Sequence, residues 1–190
     1  MNKAVKNTTA IIIILTLSII LGYVFSRIIV SIEKNNHPLK YEDMVEKYSK
    51  EYKVPQEIIY AVIKAESGFR ADVVSGAGAV GLMQIMPDTF DWLMKYQTKE
   101  ELSHGLLYDP DTNIKYGTYY LNYLYKRFNS WDIAFAAYNG GPNREWLSNP
   151  EYINAETGEI VHIPIEETRN YVKRVNKNIE VYKRLYFSKN

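Results

Sequence analysis

From 8 to 30 the chain is apolar at nearly every position, Arg27 being the one charge, and its centre reads AIIIILTLSIILGYVF. A helix needs about 20 such residues to cross the hydrocarbon core of a bilayer. Lys3 and Lys6 precede the run without an acid, and no small-residue cleavage site of the A-x-A kind is visible before Ser31. These features predict an uncleaved signal-anchor over 8–32, with 1–7 as a short cytoplasmic tail and the remainder on the far side of the membrane. Removal of the segment near Ser26 or Ser31 is the alternative. A polar linker over 33–39, containing Pro38, leads to one domain over 40–190.

Beyond the linker the apolar positions take on a helical period. Tyr41, Val45, Tyr48 and Tyr52 share one face of a helix ending near Lys53, and Pro55 suits the first turn of the next. In that next helix Ile59, Val62, Ile63 and Glu66 fall at i, i+3, i+4 and i+7, so a glutamate occupies the stripe that packs on the core. Residues 70–81, with Gly76, Gly78 and Gly81, read as flexible backbone able to approach a ligand closely; no Gly-Lys-Ser/Thr follows to make a phosphate loop. A short helix starts at Asp88 or Thr89, 102–108 reads as loop, and Asp109, Pro110, Asp111 and Asn113 supply helix-start chemistry. Ile114, Leu121, Leu124 and Phe128 then share a face over about four turns. The run WDIAFAAY is apolar nearly all round, which predicts a buried helix stopped by Asn139, Gly140, Gly141 and Pro142. Asn139 is either its C-cap or an amide offered to a ligand. Two β-prone runs around Glu156, Thr157 and Gly158 suggest a small β-hairpin, and a last helix from Pro164 carries Val172, Val175, Ile179 and Tyr182 on one side. The fold class is mostly α.

Composition narrows the chemistry. Across 190 residues the net charge is +1, with 24% charged residues, which does not suggest a nucleic-acid binder. The absence of cysteine excludes disulfides, thiolate metal sites and a cysteine nucleophile. His37, His104 and His162 are scattered without carboxylate pairing, so neither a metal nor another cofactor is expected. Seventeen tyrosines and three tryptophans would suit a carbohydrate cleft, although in a helical domain many would simply fill the core.

The candidate for chemistry is Glu66. Gly68 is a plausible left-handed stop, which places Glu66 in the last helical turn, where burial and the negative end of the helix dipole both push a carboxyl pKa upward. A carboxyl still protonated near neutral pH is what a general acid requires. The competing reading is a glutamate that bends to water or pairs with Lys64 or Arg70.

Four segments, Glu66-Ser67-Gly68-Phe69, the run from Gly81 to Pro87 (GLMQIMP), Ala137-Tyr138-Asn139-Gly140-Gly141 and Glu167-Thr168-Arg169-Asn170-Tyr171-Val172, occur in this order. Together they resemble the peptidoglycan lytic transglycosylases of the soluble-lytic-transglycosylase (SLT) type, over nearly all of the chain after residue 40. The resemblance implies a lysozyme-like transglycosylase domain over 40–190, with cleavage of the β-1,4 bond between N-acetylmuramic acid and N-acetylglucosamine and formation of a 1,6-anhydromuramic end. It carries Glu66 over as the single catalytic acid and base. It implies that Ser67 orients the acid, Met83 and Gln84 line the cleft, Tyr138 and Asn139 hold the muramic residue, and Tyr171 touches the catalytic carboxylate. Glu167 and Arg169 read as an ion pair, and Asp72, Asp88 and Asp91 match no catalytic position. Gly140 and Asn143 depart from the commoner alanine and glycine, which bears on cleft width. Partners implied are peptidoglycan strands and the cytoplasmic membrane, reached through the N-terminal helix; an envelope complex is left unspecified. A hydrolytic muramidase of goose-type-lysozyme kind and a non-catalytic glycan-binding module are the competing functions.

Overall fold

The computed structural model describes residues 3–97, 102–154, 157 and 159–188. Its contacts divide the chain into two units, one ending at Pro38 and the other beginning at Leu39. The first unit is the single helix α1, Lys3–Asn36. Its part from Ile11 on is long and apolar enough to cross a membrane. Two hydroxyls within it are self-satisfied: those of Thr16 and Ser18 donate to the carbonyls of Ile12 and Ile14, at 2.8 and 2.9 Å. Returning each hydroxyl to the carbonyl four residues back removes most of the cost of placing it in lipid. The stretch expected as a linker over 33–39 is helical through Asn36, because nothing before Pro38 breaks the backbone pattern.

The second unit is built from α2 (Glu42–Tyr52), α3 (Gln56–Glu66), α4 (Pro87–Gln97), α5 (Pro110–Phe128), α6 (Trp131–Gly140) and α7 (Glu166–Tyr182). The tyrosine face of α2 packs inward through Val45, Tyr48 and Tyr52, and Lys53, left-handed at φ 55°, closes the helix with its N–H on the Ser49 carbonyl. Pro55 stands one residue before the first turn of α3, as its N-cap rather than inside it. α3 buries the continuous run from Ile58 to Ile63 because α2 and α7 both pack on it. α6 lies between α5 and α7. Its buried alanines, Ala134, Ala136 and Ala137, are small enough for both neighbours to come close, which accounts for a segment apolar nearly all round. α5 is capped by the Asp109 carboxylate, which accepts from the Thr112 N–H at 2.9 Å, and at 19 residues it runs longer than the four turns expected.

Three other local expectations change. Part of the segment expected as loop is a 3-10 turn, His104–Tyr108, which buries Leu107. The last helix begins at Glu166 rather than Pro164, and continues past Tyr182 as a π turn, Lys183–Phe187. The expected hairpin reduces to one antiparallel bridge between Ile153 and Ile160. Its central Glu156 and Gly158 lie outside the described residues, among which no longer strand forms.

The glycine segment also behaves differently from a ligand-embracing loop. Val74 pairs with Val80, and Val80 with Ile85, so 74–85 folds on itself into two tight turns. At Gly81 (φ 81°) the close approach is to the protein's own Leu107 carbonyl and Asn113 side chain, which fill the space where a Cβ would sit. Gly81→Ala therefore meets both a disfavoured φ and a collision with backbone, and is expected to cost about 2–4 kcal/mol. Urea denaturation of the full chain in detergent, followed by circular dichroism, checks this; an unchanged midpoint would contradict it.

Candidate active site

The Glu66 carboxyl is set by how α3 ends. The Ile63 carbonyl receives the N–H groups of both Ser67 and Gly68, each at 3.1 Å, and Gly68 and Phe69 then turn the chain through two successive left-handed residues, φ 60° and 69°. Glu66 is thus the last helical residue, and its side chain is half-buried. Desolvation is the largest influence and pushes its pKa up to about 7, against the opposing pulls of the Tyr171 hydroxyl and the Arg174 guanidinium. Among the described residues no other carboxylate contributes to its electrostatic surroundings. The expected alternatives do not occur: Arg70 donates instead to the Ser67 carbonyl at 2.9 Å, and Lys64 forms no ion pair with Glu66.

Two tyrosines press on this carboxyl. Tyr171 on α7 and Tyr138 on α6 both have their phenol pKa raised well above the ordinary value, by burial first and by the Glu66 charge next. The Tyr138 hydroxyl is committed, donating to the Met83 carbonyl at 2.8 Å. The Tyr171 hydroxyl is buried without a hydrogen bond of full geometry. It acts on Glu66 as a loosely placed donor that favours the charged form. The Arg174 guanidinium lies 5.6 Å from the centre of the Tyr171 ring, one helical turn further along α7.

Opposite the end of α3 is the turn 80–85, closed by reciprocal bonds of 3.0 Å between Val80 and Ile85. Side chains from three helix positions fix it. Ser67 donates to the Leu82 carbonyl at 2.8 Å, and Tyr138 holds the Met83 carbonyl. Asn113, fully buried, accepts from the Met83 N–H at 2.7 Å and donates to the carbonyls of Val80 and Leu107 at 2.9 and 2.7 Å. At the tip Gln84 takes a positive φ of 49°, unusual for a residue with a Cβ, and its amide nitrogen donates to the carbonyls of Gly81 and Val73 at 2.9 and 3.1 Å. Beside this turn lies a recess of about 190 Å³ lined by Gln84, Thr89, Tyr120, Tyr138 and Asn139 among others. Tyr138 joins it to the acid, since it both lines the recess and feels the Glu66 charge.

The residues singled out in the sequence separate into two groups. Glu66, Tyr138 and Tyr171 come together around the carboxyl, and Gln84, Tyr138 and Asn139 share the recess. Asn139 lies inside the last turn of α6, and the cap is Gly141, at φ 92°. That leaves the Asn139 amide facing the recess instead of closing the helix. Ser67 and Met83 stand behind the wall: both are buried, Ser67 bonds to backbone rather than to Glu66, and the Met83 side chain packs on Gly117 of α5. Ser67, expected to orient the acid, and Met83, expected to line the cleft, are both absent from the lining of the recess.

Other expectations are corrected. Arg169 does not pair with Glu167 but donates to the Ile163 carbonyl at 2.8 Å, since residues two apart on a helix point in different directions. His104 does have a carboxylate partner, Asp91, at 2.7 Å. Asn113, read from the sequence as helix-start chemistry, is the clamp of the turn. The available signal was its spacing, four residues before Gly117 and seven before Tyr120 on a buried face. Arg174 was detectable only as the residue one turn beyond Tyr171.

Comparison with known proteins agrees with this geometry. The family described as "Transglycosylase SLT domain" matches residues 43–159. Soluble lytic murein transglycosylase of Escherichia coli K12 is 41% identical over 73% of the chain, which spans only 22% of that protein. Membrane-bound lytic murein transglycosylase C of Edwardsiella ictaluri is 30% identical over 97% of the chain, which spans 55% of it. The crystal structure of the 70 kDa soluble lytic transglycosylase of Escherichia coli superposes with a TM-score of 0.70 at 36% identity, covering 80% of this chain and 25% of that one.

The raised acid has a stability consequence. A free glutamate titrates near 4.5 and Glu66 near 7, so the folded state holds the extra proton between those values. Folding bears no penalty from Glu66 below the lower value, and an increasing one as pH rises through about 7. Glu66→Gln is therefore expected to be more stable than the parent at pH 8, by about 1–3 kcal/mol, with the difference vanishing toward pH 4. Urea denaturation at the two pH values measures it, and an equal difference at both would show that Glu66 is not a desolvated acid.

Proposed function

Since the chain belongs to the transglycosylase SLT family, we propose that it is a membrane-anchored peptidoglycan lytic transglycosylase with Glu66 as its single acid and base. The observation that carries the reading is one half-buried carboxyl, pushed up to about 7, with no second carboxylate among the described residues acting on it. A two-carboxylate glycosidase needs its second acid to activate water or to attack the sugar. An internal nucleophile removes that need, because a hydroxyl of the same sugar is held near the reacting carbon at high effective concentration.

In this scheme the protonated Glu66 gives its proton to the glycosidic oxygen while the bond from muramic C1 to that oxygen breaks, its electron pair leaving with the oxygen. C1 becomes oxocarbenium-like. The C6 hydroxyl of the same residue attacks C1, the Glu66 carboxylate takes the C6 hydroxyl proton, and the acid is restored as the 1,6-anhydro bond forms. Tyr171 and Arg174 favour the charged form that exists between the two proton transfers, and burial favours the neutral form at the start. Tyr138 offers its ring as a wall and Asn139 an open amide to the muramic N-acetyl group, whose carbonyl oxygen can stabilise the cationic carbon. Gln84 contributes through the carbonyl side of its amide. Ser67, Met83 and Asn113 act at one remove, by holding the turn.

The anchor is α1, read as a single pass with the catalytic unit on the extracytoplasmic side. Lys3 and Lys6 support that orientation, because basic residues flanking a span favour the cytoplasm. A membrane-bound position also suits a glycan polymer that lies outside the cytoplasmic membrane.

The full chain in detergent, incubated with purified peptidoglycan, is expected to release fragments ending in 1,6-anhydromuramic acid by mass spectrometry, and Glu66→Gln to release none. Reducing muramic ends would instead identify a hydrolase, and turnover by the variant would remove Glu66 from the chemistry. Tyr171→Phe is expected to raise the Glu66 pKa further, moving the high-pH limb of kcat/KM upward by roughly half a unit to one unit. A limb that stays in place would mean that Tyr171 only packs.

A further inference from the structure

Arg174 is exposed on α7, and among the described residues it joins no ion pair, although Glu167 and Glu180 share its helix. The group it meets is the Tyr171 ring, whose centre lies 5.6 Å from the guanidinium. Tyr171 itself is only 1% exposed. The phenol thus has a cation at its ring and a carboxyl toward its hydroxyl, and that hydroxyl makes no hydrogen bond of full geometry. A cation beside an aromatic ring is attracted to it, and it polarises the phenolic O–H toward being a stronger donor. Burial and the Glu66 charge hold Tyr171 in its neutral form, and Arg174 pulls the other way. Other charged and titratable groups around the carboxyl are engaged elsewhere. On α6 the Tyr138 hydroxyl is committed to the Met83 carbonyl, and after α3 Arg70 donates to the Ser67 carbonyl. On α2, Glu42 and Glu46 act on Tyr60, and Lys64 of α3 forms no ion pair with Glu66. Among the described residues Arg174 is the cation that acts on both Tyr171 and Glu66.

We propose that Arg174 is a positioning residue for proton transfer: with its guanidinium on the Tyr171 ring, it readies the Tyr171 hydroxyl to close on Glu66 once that carboxyl has given up its proton. The inference rests on the reading of Glu66 as acid and base above. While Glu66 is neutral, the phenol gains little by moving toward it. After the proton has gone to the glycosidic oxygen, the carboxylate draws the hydroxyl in, and the cation strengthens that bond. When Glu66 recovers a proton from the C6 hydroxyl, the bond loosens again. No proton leaves Tyr171, which burial keeps neutral throughout. Water screens an exposed guanidinium that acts directly, whereas the buried ring carries its influence through a region without water. Arg174 therefore works on Glu66 through Tyr171, and the two side chains behave as one unit.

The test follows the Glu66 titration by infrared difference spectroscopy of its carboxyl band, in the full chain in detergent, each protein being compared with its own Glu66→Gln form. The proteins are the parent, Arg174→Gln, Tyr171→Phe and the double variant. Arg174→Gln is expected to raise the midpoint by roughly a third to half a unit and to lower kcat for glycan release about two- to threefold, with KM unchanged. In the Tyr171→Phe background the same substitution is expected to do neither, and Arg174→Lys, which keeps the cation, to restore most of the parent behaviour. Equal shifts in the two backgrounds would mean that Arg174 acts on the carboxyl directly. An unmoved midpoint would leave it a surface residue, and a change in KM alone would make it a substrate contact. Each of these results overturns the proposal. Because the titration needs no turnover, failure of the transglycosylase reading would appear among the glycan products and leave the midpoints intact.

Discussion

A carboxyl group kept from water at the wrong end of a helix is the constraint around which this domain is arranged. The carbonyl end of α3 disfavours negative charge, and the surroundings of Glu66 provide only partial compensation, through a loosely placed tyrosine hydroxyl and a guanidinium lying beyond it. If Tyr171 bonded tightly, or if a cation stood directly against the carboxyl, Glu66 would titrate as an ordinary glutamate and would lack a proton near neutral pH. The incompleteness of the Tyr171 contact is therefore what leaves the proton on Glu66. α3 and α7 pack together extensively, which holds this unfavourable group in place.

The opposite wall is organised by complete satisfaction of polar groups. Every polar atom of the Asn113 side chain bonds to backbone, and the turn it holds receives further bonds from Ser67 and Tyr138. α3, α5 and α6 are each tied to the same six-residue turn by one side chain, so a displacement of any of these helices reaches the cleft wall directly. One wall is rigid because its hydrogen bonds are made, and the other holds a raised carboxyl because one is not.

Much of this was legible in the sequence where it depends on period. The stripe ending in Glu66, the left-handed stop at Gly68 and the buried run from Trp131 to Tyr138 follow from local chemistry, and the structure keeps them. The four motifs located Tyr138, Asn139 and Tyr171. What periodicity could not convey is direction across the chain. Ser67 and Met83 sit within motifs and read as cleft residues, but the turn at Gly81 sends Met83 inward onto Gly117. Asn113 looked like a cap because it follows Asp109 and Pro110. Its partners lie up to 33 residues away, beyond any local pattern. The pairing of His104 with Asp91, and the absence of one between Glu167 and Arg169, are further cases in which tertiary placement, not spacing, decided the partner.

Gln84 illustrates a conflict between backbone and side chain at the recess. A residue with a Cβ held at positive φ forgoes the roughly 1 kcal/mol that glycine would recover there, and its two amide hydrogen bonds only offset that strain locally. At this position the backbone and the cleft want different residues. For folding alone glycine or asparagine would suit this backbone better, and either would shorten or delete the side chain on the recess wall. Stabilising this protein by relaxing its strained positions would thus begin by blunting the wall of its recess.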